Sequence, residues 1–330
     1  IRCTQNPTMG EEWRRGWDPE SIKPKKTDQK ALVIGSGPSG LECSMQLARR
    51  GYHVTLAEAD NKLGGRVLFE SGLKGLSAWK RVSDNRLYEI QQKNNIEIYK
   101  ESELTLEHIN ELGINNIFLA TGSSWRKDGV GRSRRKPILG LESLKVLTPE
   151  EAITQSKDLS GPIVVYDDEQ GYLAGVIADH LSSDHQEIIF ITPASVVSPW
   201  TESTLEQKRI QKALLVSGVK VICNKTIDKA EGSDLSLQCI FTGEITFLKC
   251  AAIVMVTERI PNTTLYDQLI EQENSTEKGE TKHIQLIGDA ESPGLIADAV
   301  FLGHLAAQNF EEPEQEIQKA MFMREMPSLK

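Results

Sequence analysis

A chain of 330 residues, 39% hydrophobic and 26% charged, is long enough for two ordinary globular domains, each with its own core. A net charge of −9 argues against nucleic acid as the main partner and against a polybasic membrane contact, and no apolar run approaches the ~20 residues that span a bilayer. Five scattered cysteines without a CxxC pair, and the lack of a secretory signal peptide, point to a reducing cytoplasm.

Residues 1–26 are polar and rich in Trp, Arg and Pro, with no helix or strand period; they read as an irregular arm pinned by Trp13 and Trp17, with Lys23 to Lys26 as its solvated end. The chain opens on Ile1 rather than Met, which suggests a fragment or processed product with a further domain upstream. The stretch Ala31 to Glu58 is the organising element. A buried strand, Ala31 to Ile34, runs into Gly35-Ser36-Gly37-Pro38-Ser39-Gly40, then a helix to about Arg50, a stop at Gly51 and a second strand ending at Glu58. Gly35 allows the tight turn, Gly37 admits a pyrophosphate to the backbone, and Gly40 lets the helix pack on the strand. The helix N-terminus offers N–H groups and partial positive charge to phosphates, and Glu58 stands about 20 residues on, where a carboxylate accepts ribose hydroxyls. These features predict an adenine-nucleotide site.

After Glu58 and Ala59, the turn Asn61 to Arg66 either brings Gly65 and Arg66 over the phosphates or is a loop with a surface arginine. Helical spacing follows over Arg81 to Asn94, then a strand at Ile96 to Tyr99 and a buried strand at Asn116 to Ala120 ending in Thr121-Gly122, at the sheet edge where ligands bind. The basic run Arg126 to Lys136 is expected to be a flexible solvated loop and not a nucleic-acid patch. A second α/β unit starts near Gly161, with strand Ile163 to Tyr166, helix Gly171 to Leu181 and strand Glu187 to Ile191. Aligned on the first unit, its turn carries Asp167, Asp168 and Glu169 where a pyrophosphate would sit, so it is expected to repel NAD(P)H electrostatically. A helix over Thr204 to Val216, a hairpin within Leu235 to Phe247 and a strand Ala252 to Val256 complete it. After a polar loop, Glu271 to Lys282, the strand Ile284 to Ile287 is expected to return to the first sheet, placing Asp289 at the nucleotide cleft, followed by a helix from Leu295 to Gln308. The tail, with Met321, Phe322, Met323 and Met326, either docks on a neighbouring domain or subunit or packs in the core.

The fold class is therefore α/β, with two Rossmann-like three-layer domains, the second inserted into the first: an arm (1–26), a nucleotide-binding domain (27–155 and 259–330) and an inserted degenerate NAD(P)-type domain (156–258). No Ser/His/Asp or Cys/His set is visible, and the six histidines are scattered. His180 and His304 read as surface or packing residues.

The segments GSGPSGLE, EADNKLGGR, LATGSSW and IGDAESPGLIADAVFLGH resemble the two C-terminal domains of the trimethylamine dehydrogenase-like iron–sulfur flavoproteins, relatives of dimethylamine and histamine dehydrogenases and, more distantly, 2,4-dienoyl-CoA reductase. The arm, CTQNPTMGEEWRRGWDPE, is similar to the segment carrying the last cysteine ligand of their [4Fe–4S] cluster, so the resemblance makes Cys3 a ligand; Asp18 departs from the family, where a His is expected. It further implies a TIM barrel upstream with flavin mononucleotide and the other cluster ligands, N-demethylating oxidation of an amine, electrons passed to an electron-transfer flavoprotein docking near Trp79-Lys80-Arg81, and a homo-oligomer. As nucleotide contacts it implies Gly35, Gly37, Pro38, Ser39, Gly40, Glu58, Ala59, Gly65, Arg66, Thr121, Gly122 and Asp289. The ligand stays open between ADP and FAD. The amine dehydrogenase branch holds ADP and this chain is then not catalytic alone; the alternatives are an FAD- and NAD(P)H-dependent reductase, or a non-catalytic nucleotide-binding scaffold.

Overall fold

The computed structural model describes residues 2–18, 22–155, 157, 159–185, 187–275 and 282–322. The chain folds into two compact units: Ile1–Ser71 with Ala78–Ser123 and Pro261–Lys330, and Gly72–Ser77 with Ser124–Ile260. In chain order, the arm makes one helical turn, α1 (Glu12–Arg15), and then come β1 (Lys30–Ile34), α2 (Pro38–Arg50), β2 (His53–Ala57), α3 (Val67–Glu70), α4 (Arg81–Gln91), β3 (Ile96–Tyr99), α5 (Leu106–Leu112) and β4 (Asn116–Leu119). The middle of the chain carries β5 (Ser123–Trp125), β6 (Lys145–Leu147), α6 (Pro149–Thr154), β7 (Ile163–Asp167), α7 (Leu173–Leu181), β8 (Ile188–Ile191), α8 (Gln207–Val216) and β9 (Lys220–Ile222). It continues with β10 (Lys225–Glu231), β11 (Asp234–Cys239), β12 (Ile245–Lys249), β13 (Ala252–Val256) and β14 (Arg259–Pro261). The last stretch is α9 (Thr264–Ser275), β15 (His283–Leu286), α10 (Ile296–Asn309) and α11 (Glu314–Phe322).

The first unit is a parallel sheet in the order β15-β4-β1-β2-β3. Successive residues of β1 point to opposite faces, and both faces are covered: Ala31 and Val33 pack with residues of α2 and α10, whereas Leu32 and Ile34 pack with Ile109 of α5 and Leu269 of α9. The second unit is a parallel sheet, β6-β13-β7-β8-β9, with an antiparallel meander β10-β11-β12 beside it in sequence. Because β15 pairs with β4, the first sheet is completed by chain that follows the second unit, which is thus an insertion.

Several expectations need correction. The second unit begins at Ser124 and not at residue 156, because β6 pairs in parallel with β13 and supplies that sheet's edge. The stretch from Glu271 is helical up to Ser275, since α9 buries Leu269 on the first sheet. Of the two arm tryptophans only Trp17 is a pin: it is 4% exposed and lies against Phe301 and His304, while Trp13 is exposed. Lys26 is not merely solvated; its Nζ reaches the Glu311 carbonyl at 3.2 Å and Glu312 at 3.0 Å. Met323 and Met326 of the tail lie outside the described residues.

Helix α2 starts with Pro38 at its first position, where a missing N–H costs nothing, and stops at Gly51 (φ +100°), whose N–H returns to Leu47 and Ala48 carbonyls. It is buried on nearly all sides, so its one acidic residue needs partners. Glu42, fully buried, accepts from His304 Nδ1 of α10 at 2.8 Å, from Arg86 Nε of α4 at 2.7 Å and from Gln46 Nε2 at 2.9 Å. Burial alone would raise the Glu42 carboxyl, but the His304 hydrogen bond, the Arg86 charge and the Gln46 bond overcome that and hold it below the usual glutamate value. A carboxyl lowered in the folded state contributes stability above its unfolded value and loses it as pH falls through the folded one. Glu42→Gln, which leaves Arg86 buried without its counter-charge, is expected to cost about 3–5 kcal/mol at pH 7 by urea unfolding. The gap from the native protein should narrow once pH falls below the ordinary value of 4.5; a gap that is constant with pH would contradict the ion-pair account.

Candidate nucleotide site

Strand β1 ends where Gly35 turns at φ +100°, its N–H bonded to the Ala57 carbonyl at 2.8 Å. A Cβ on Gly35 would overlap the Ala120 carbonyl, and one on Gly40 would overlap the Gly35 carbonyl. Both glycines therefore serve the fold, seating α2 on the end of the sheet. Gly37 is different. It is the N-cap of α2, extended at φ −64°, and a Cβ there would meet nothing within 4 Å. No side chain caps this helix start. Ser39, in its first turn and 5% exposed, carries a buried Oγ with no hydrogen-bond partner among the described residues. The unpaired N–H groups and partial positive charge of a buried helix start require a partner.

A cleft of about 580 Å³ opens at this point. Of the expected contacts, Gly35, Gly37, Pro38, Ser39, Glu58, Ala59, Gly65, Arg66, Thr121, Gly122 and Asp289 all line it, and Gly40 sits behind it in the strand–helix contact. Glu58 is half-buried and held by three donors: Ser36 N at 2.7 Å and Ser36 Oγ at 2.5 Å on Oε2, and Asp60 N at 3.0 Å on Oε1. A carboxylate has about four lone-pair directions, so one remains for a ligand hydroxyl. Arg66 pairs with Glu70 at 2.8 Å and with Asp289 at 3.2 Å. Asp289 in turn accepts from Ser123 Oγ at 3.1 Å and Gly294 N at 3.0 Å, so both its oxygens are engaged. Thr121 Oγ1 donates to the Asn262 carbonyl at 2.7 Å. Sequence reasoning missed Ser36, Asn262 and Glu70. Ser36 was discoverable as the hydroxyl between the two glycines; Asn262 and Glu70 carry no local pattern and reach the cleft only through the fold.

Cys3 is half-buried, and its Sγ accepts from Gln5 N and Asn6 N, each at 3.4 Å. Among the described residues no three His, Cys, Asp or Glu side chains gather as a metal site. Trp79 is half-buried, and Lys80 and Arg81 are exposed, at the turn that leads into α4.

The corresponding turn of the second unit is closed. Asp168 N and Glu169 N both donate to the Val256 carbonyl, at 2.9 and 3.0 Å, and Asp167 Oδ1 accepts from Gln170 N at 2.7 Å. Gly131 lies so near that a Cβ on it would stand 2.5 Å from Asp168 Oδ2, which also accepts from Ser133 N at 2.9 Å. The basic stretch is thus not a free solvated loop: Val130, Gly131 and Ile138 are buried, Arg132 Nε reaches the Glu169 carbonyl at 3.1 Å, and Arg134 Nη1 the Ile227 carbonyl at 2.8 Å. The electrostatic expectation also changes. Burial, with the neighbouring Glu169 and Asp168 charges, pushes the Asp167 carboxyl well above the usual range, and burial raises Asp168 as well. Coverage by protein, more than full negative charge, closes this turn.

An open glycine turn on one doubly wound sheet, followed by a second such unit inserted in the chain, defines the flavoprotein class of dinucleotide-binding oxidoreductases. The chain belongs to the pyridine nucleotide-disulphide oxidoreductase family, whose model matches residues 8–71 and 29–301. Membership implies a site for FAD or a pyridine nucleotide. The chain is 31% identical over 342 residues to dimethylamine dehydrogenase of Hyphomicrobium sp. (strain x), covering 96% of this chain and 46% of that protein. Among solved structures, histamine dehydrogenase from Rhizobium sp. 4-9 superposes with a TM-score of 0.91 at 39% identity, over 94% of this chain and 48% of that one. The 6-hydroxypseudooxynicotine amine oxidase of Pseudomonas geniculata N1 gives 0.90 at 36% identity, over 94% and 46%. These relatives agree with the resemblance to the trimethylamine dehydrogenase-like flavoproteins, and the chain spans about half their length. No helix among the described residues is long and apolar enough to cross a membrane.

The buried Asp167 gives a test of the closed turn. A carboxyl raised in the folded state favours folding only while protonated, and that advantage is lost as pH rises from its unfolded value through the folded one. Asp167→Asn keeps an oxygen for Gln170 N and removes the buried charge. It is expected to raise stability at pH 8, with no gain below the ordinary aspartate value of 3.8. Thermal unfolding at the two pH values measures this; destabilisation at pH 8 would refute it.

Proposed function

We propose that this chain is the adenine-nucleotide-holding portion of an amine dehydrogenase, binding ADP in the first unit and no hydride donor in the second. One contrast carries the reading: the α2 N-terminus, with the open face of Gly37, faces a cleft, whereas the equivalent turn of the second unit is covered by Gly131 and bonded to Val256. The pyrophosphate would lie along the α2 N-terminus against the open face of Gly37, and the adenosine ribose would bond to the remaining lone pair of Glu58. ADP is favoured over FAD because the second unit offers no site for a hydride donor, the pattern of the amine dehydrogenase branch that the sequence resembles.

With no hydride donor in the second unit, electrons leave through a protein partner, an electron-transfer flavoprotein, and the exposed Lys80 and Arg81 beside Trp79 are its docking patch. The complete, homo-oligomeric protein would carry a TIM-barrel portion in which flavin mononucleotide supplies amine oxidation and a [4Fe–4S] cluster supplies one-electron relay. For that cluster this chain fits as the source of one ligand. Cys3 is half-buried with two amide donors on its sulfur, and three further thiolates must come from elsewhere.

The test is direct. Denatured chain should release ADP, identified by mass spectrometry, and the native chain should show no flavin band near ~450 nm. Gly37→Ala, sterically free in the protein, should leave the thermal stability of the ADP-free chain unchanged and weaken ADP by about 10–100-fold, the loss of one charge-assisted hydrogen bond. Undiminished ADP binding in that variant, or saturation by NADH or NADPH at or below ~1 mM, a millimolar constant being the weak end of specific binding, would overturn the assignment.

A further inference from the structure

The arm that carries Cys3 is held at its first turn by a buried arginine. Arg86, 2% exposed, donates from Nε to Glu42 at 2.7 Å and from Nη1 to the Val82 carbonyl at 2.8 Å. Its Nη2 is left for the arm, where it bonds the carbonyls of Thr4 at 3.5 Å and Gln5 at 3.3 Å. Those carbonyls belong to the same peptide groups whose N–H ends, on Gln5 and Asn6, donate to Cys3 Sγ at 3.4 Å. Each of the two rigid peptide planes is therefore bonded to the guanidinium on its oxygen side and to the sulfur on its nitrogen side. Hydrogen bonds in series polarise one another, so positive charge at the carbonyl end strengthens the amide as a donor to a negatively charged sulfur.

We infer that Arg86 is the positioning residue for Cys3: through the Thr4–Gln5 and Gln5–Asn6 peptides it fixes the sulfur's place and aims two amide dipoles at it. Glu42 and His304 serve to hold Arg86, and Trp17, stacked edge-on against His304, clamps the far end of the same arm. The functional meaning rests on the reading of Cys3 as a cluster ligand, since donors to ligand sulfurs are one of a protein's means of setting a cluster's potential. The geometry itself does not depend on that reading.

The informative variant is Arg86→Lys. Lysine keeps a positive charge for Glu42 but lacks the planar fork that serves Glu42 and the two arm carbonyls together. The readout is iodoacetamide labelling of each cysteine by peptide mass spectrometry on the full chain, with hydrogen exchange over residues 2–8. The expected result is labelling of Cys3 about tenfold faster than in the native protein and lost protection of the Gln5 and Asn6 amides. Cys43, buried on α2 beside Glu42, should stay protected. Cys3 labelling and arm exchange equal to the native protein's would overturn the proposal. So would uncovering of Cys43 in step with Cys3, which would mean a loosened core. Arg86→Met extends the test should lysine find a new route to the carbonyls. The reading of Cys3 as a ligand fails separately: Cys3→Ser in the longer protein would then leave the iron–sulfur absorbance unchanged, while the Arg86→Lys labelling result would stand.

Discussion

The structure of the first unit depends on how closely α2 approaches what surrounds it. Its first turn lies against the Gly35 carbonyl through Gly40, and α10 reaches the Ser39 backbone through Gly303, where any side chain would collide. Three backbones thus converge with no side chain between them, and the convergence fixes the direction of the α2 N-terminus more firmly than hydrogen bonds alone would. The same closeness leaves α2 without a solvent face. A polar residue on it must be matched from inside, which is why Glu42 draws His304, Arg86 and Gln46 together and why the arm, lying over His304 and Arg86, belongs to this unit's core.

Much of this was visible in the residues. The strand–glycine–helix–strand–acid run states its own geometry, because each residue type answers a local need: a left-handed turn at Gly35, close packing at Gly40, an acceptor at Glu58. Buried parallel strands such as β7 and β13 read as continuous apolar runs for an equally local reason. What did not show was anything set by distant pairing. The boundary of the inserted unit turns on β6, whose Lys145–Leu147 segment has no distinctive period and becomes a strand only because β13 offers an edge. The basic stretch looked solvated because arginine side chains do reach solvent, yet its backbone, through Gly131 and Val130, is a plug. Asn262 and Glu70 arrive at the cleft from segments that carry no motif.

The second unit shows how far a charge count can mislead. Three consecutive acids in a turn suggest strong repulsion of phosphate, but burial works against the charge itself: Asp167 is pushed towards its neutral form, and Asp168 in the same direction. On the proposed reading, a diphosphate would be kept out of this turn by atoms more than by field. The direct competitor of a diphosphate in that turn is the Val256 carbonyl, which takes two amide donors, together with the loop that lays Gly131 on Asp168.

The two turns can be compared as a problem of unmet hydrogen bonding. The start of a helix after a strand leaves donors that something must accept. In the second unit the chain supplies acceptors for the turn's amides itself, from Val256 and from the Asp167 carboxyl, although α7 also starts without a side-chain cap and Asp167 Oδ2 and Asp168 Oδ1 are buried without a partner among the described residues. In the first unit the chain instead removes the side chain at Gly37, where nothing would meet a Cβ, and likewise supplies no side-chain cap to α2. Unpaired groups occur at both turns, so what separates them is room: a Cβ on Gly37 would meet nothing and the turn opens on a cleft, whereas Gly131 lies against Asp168.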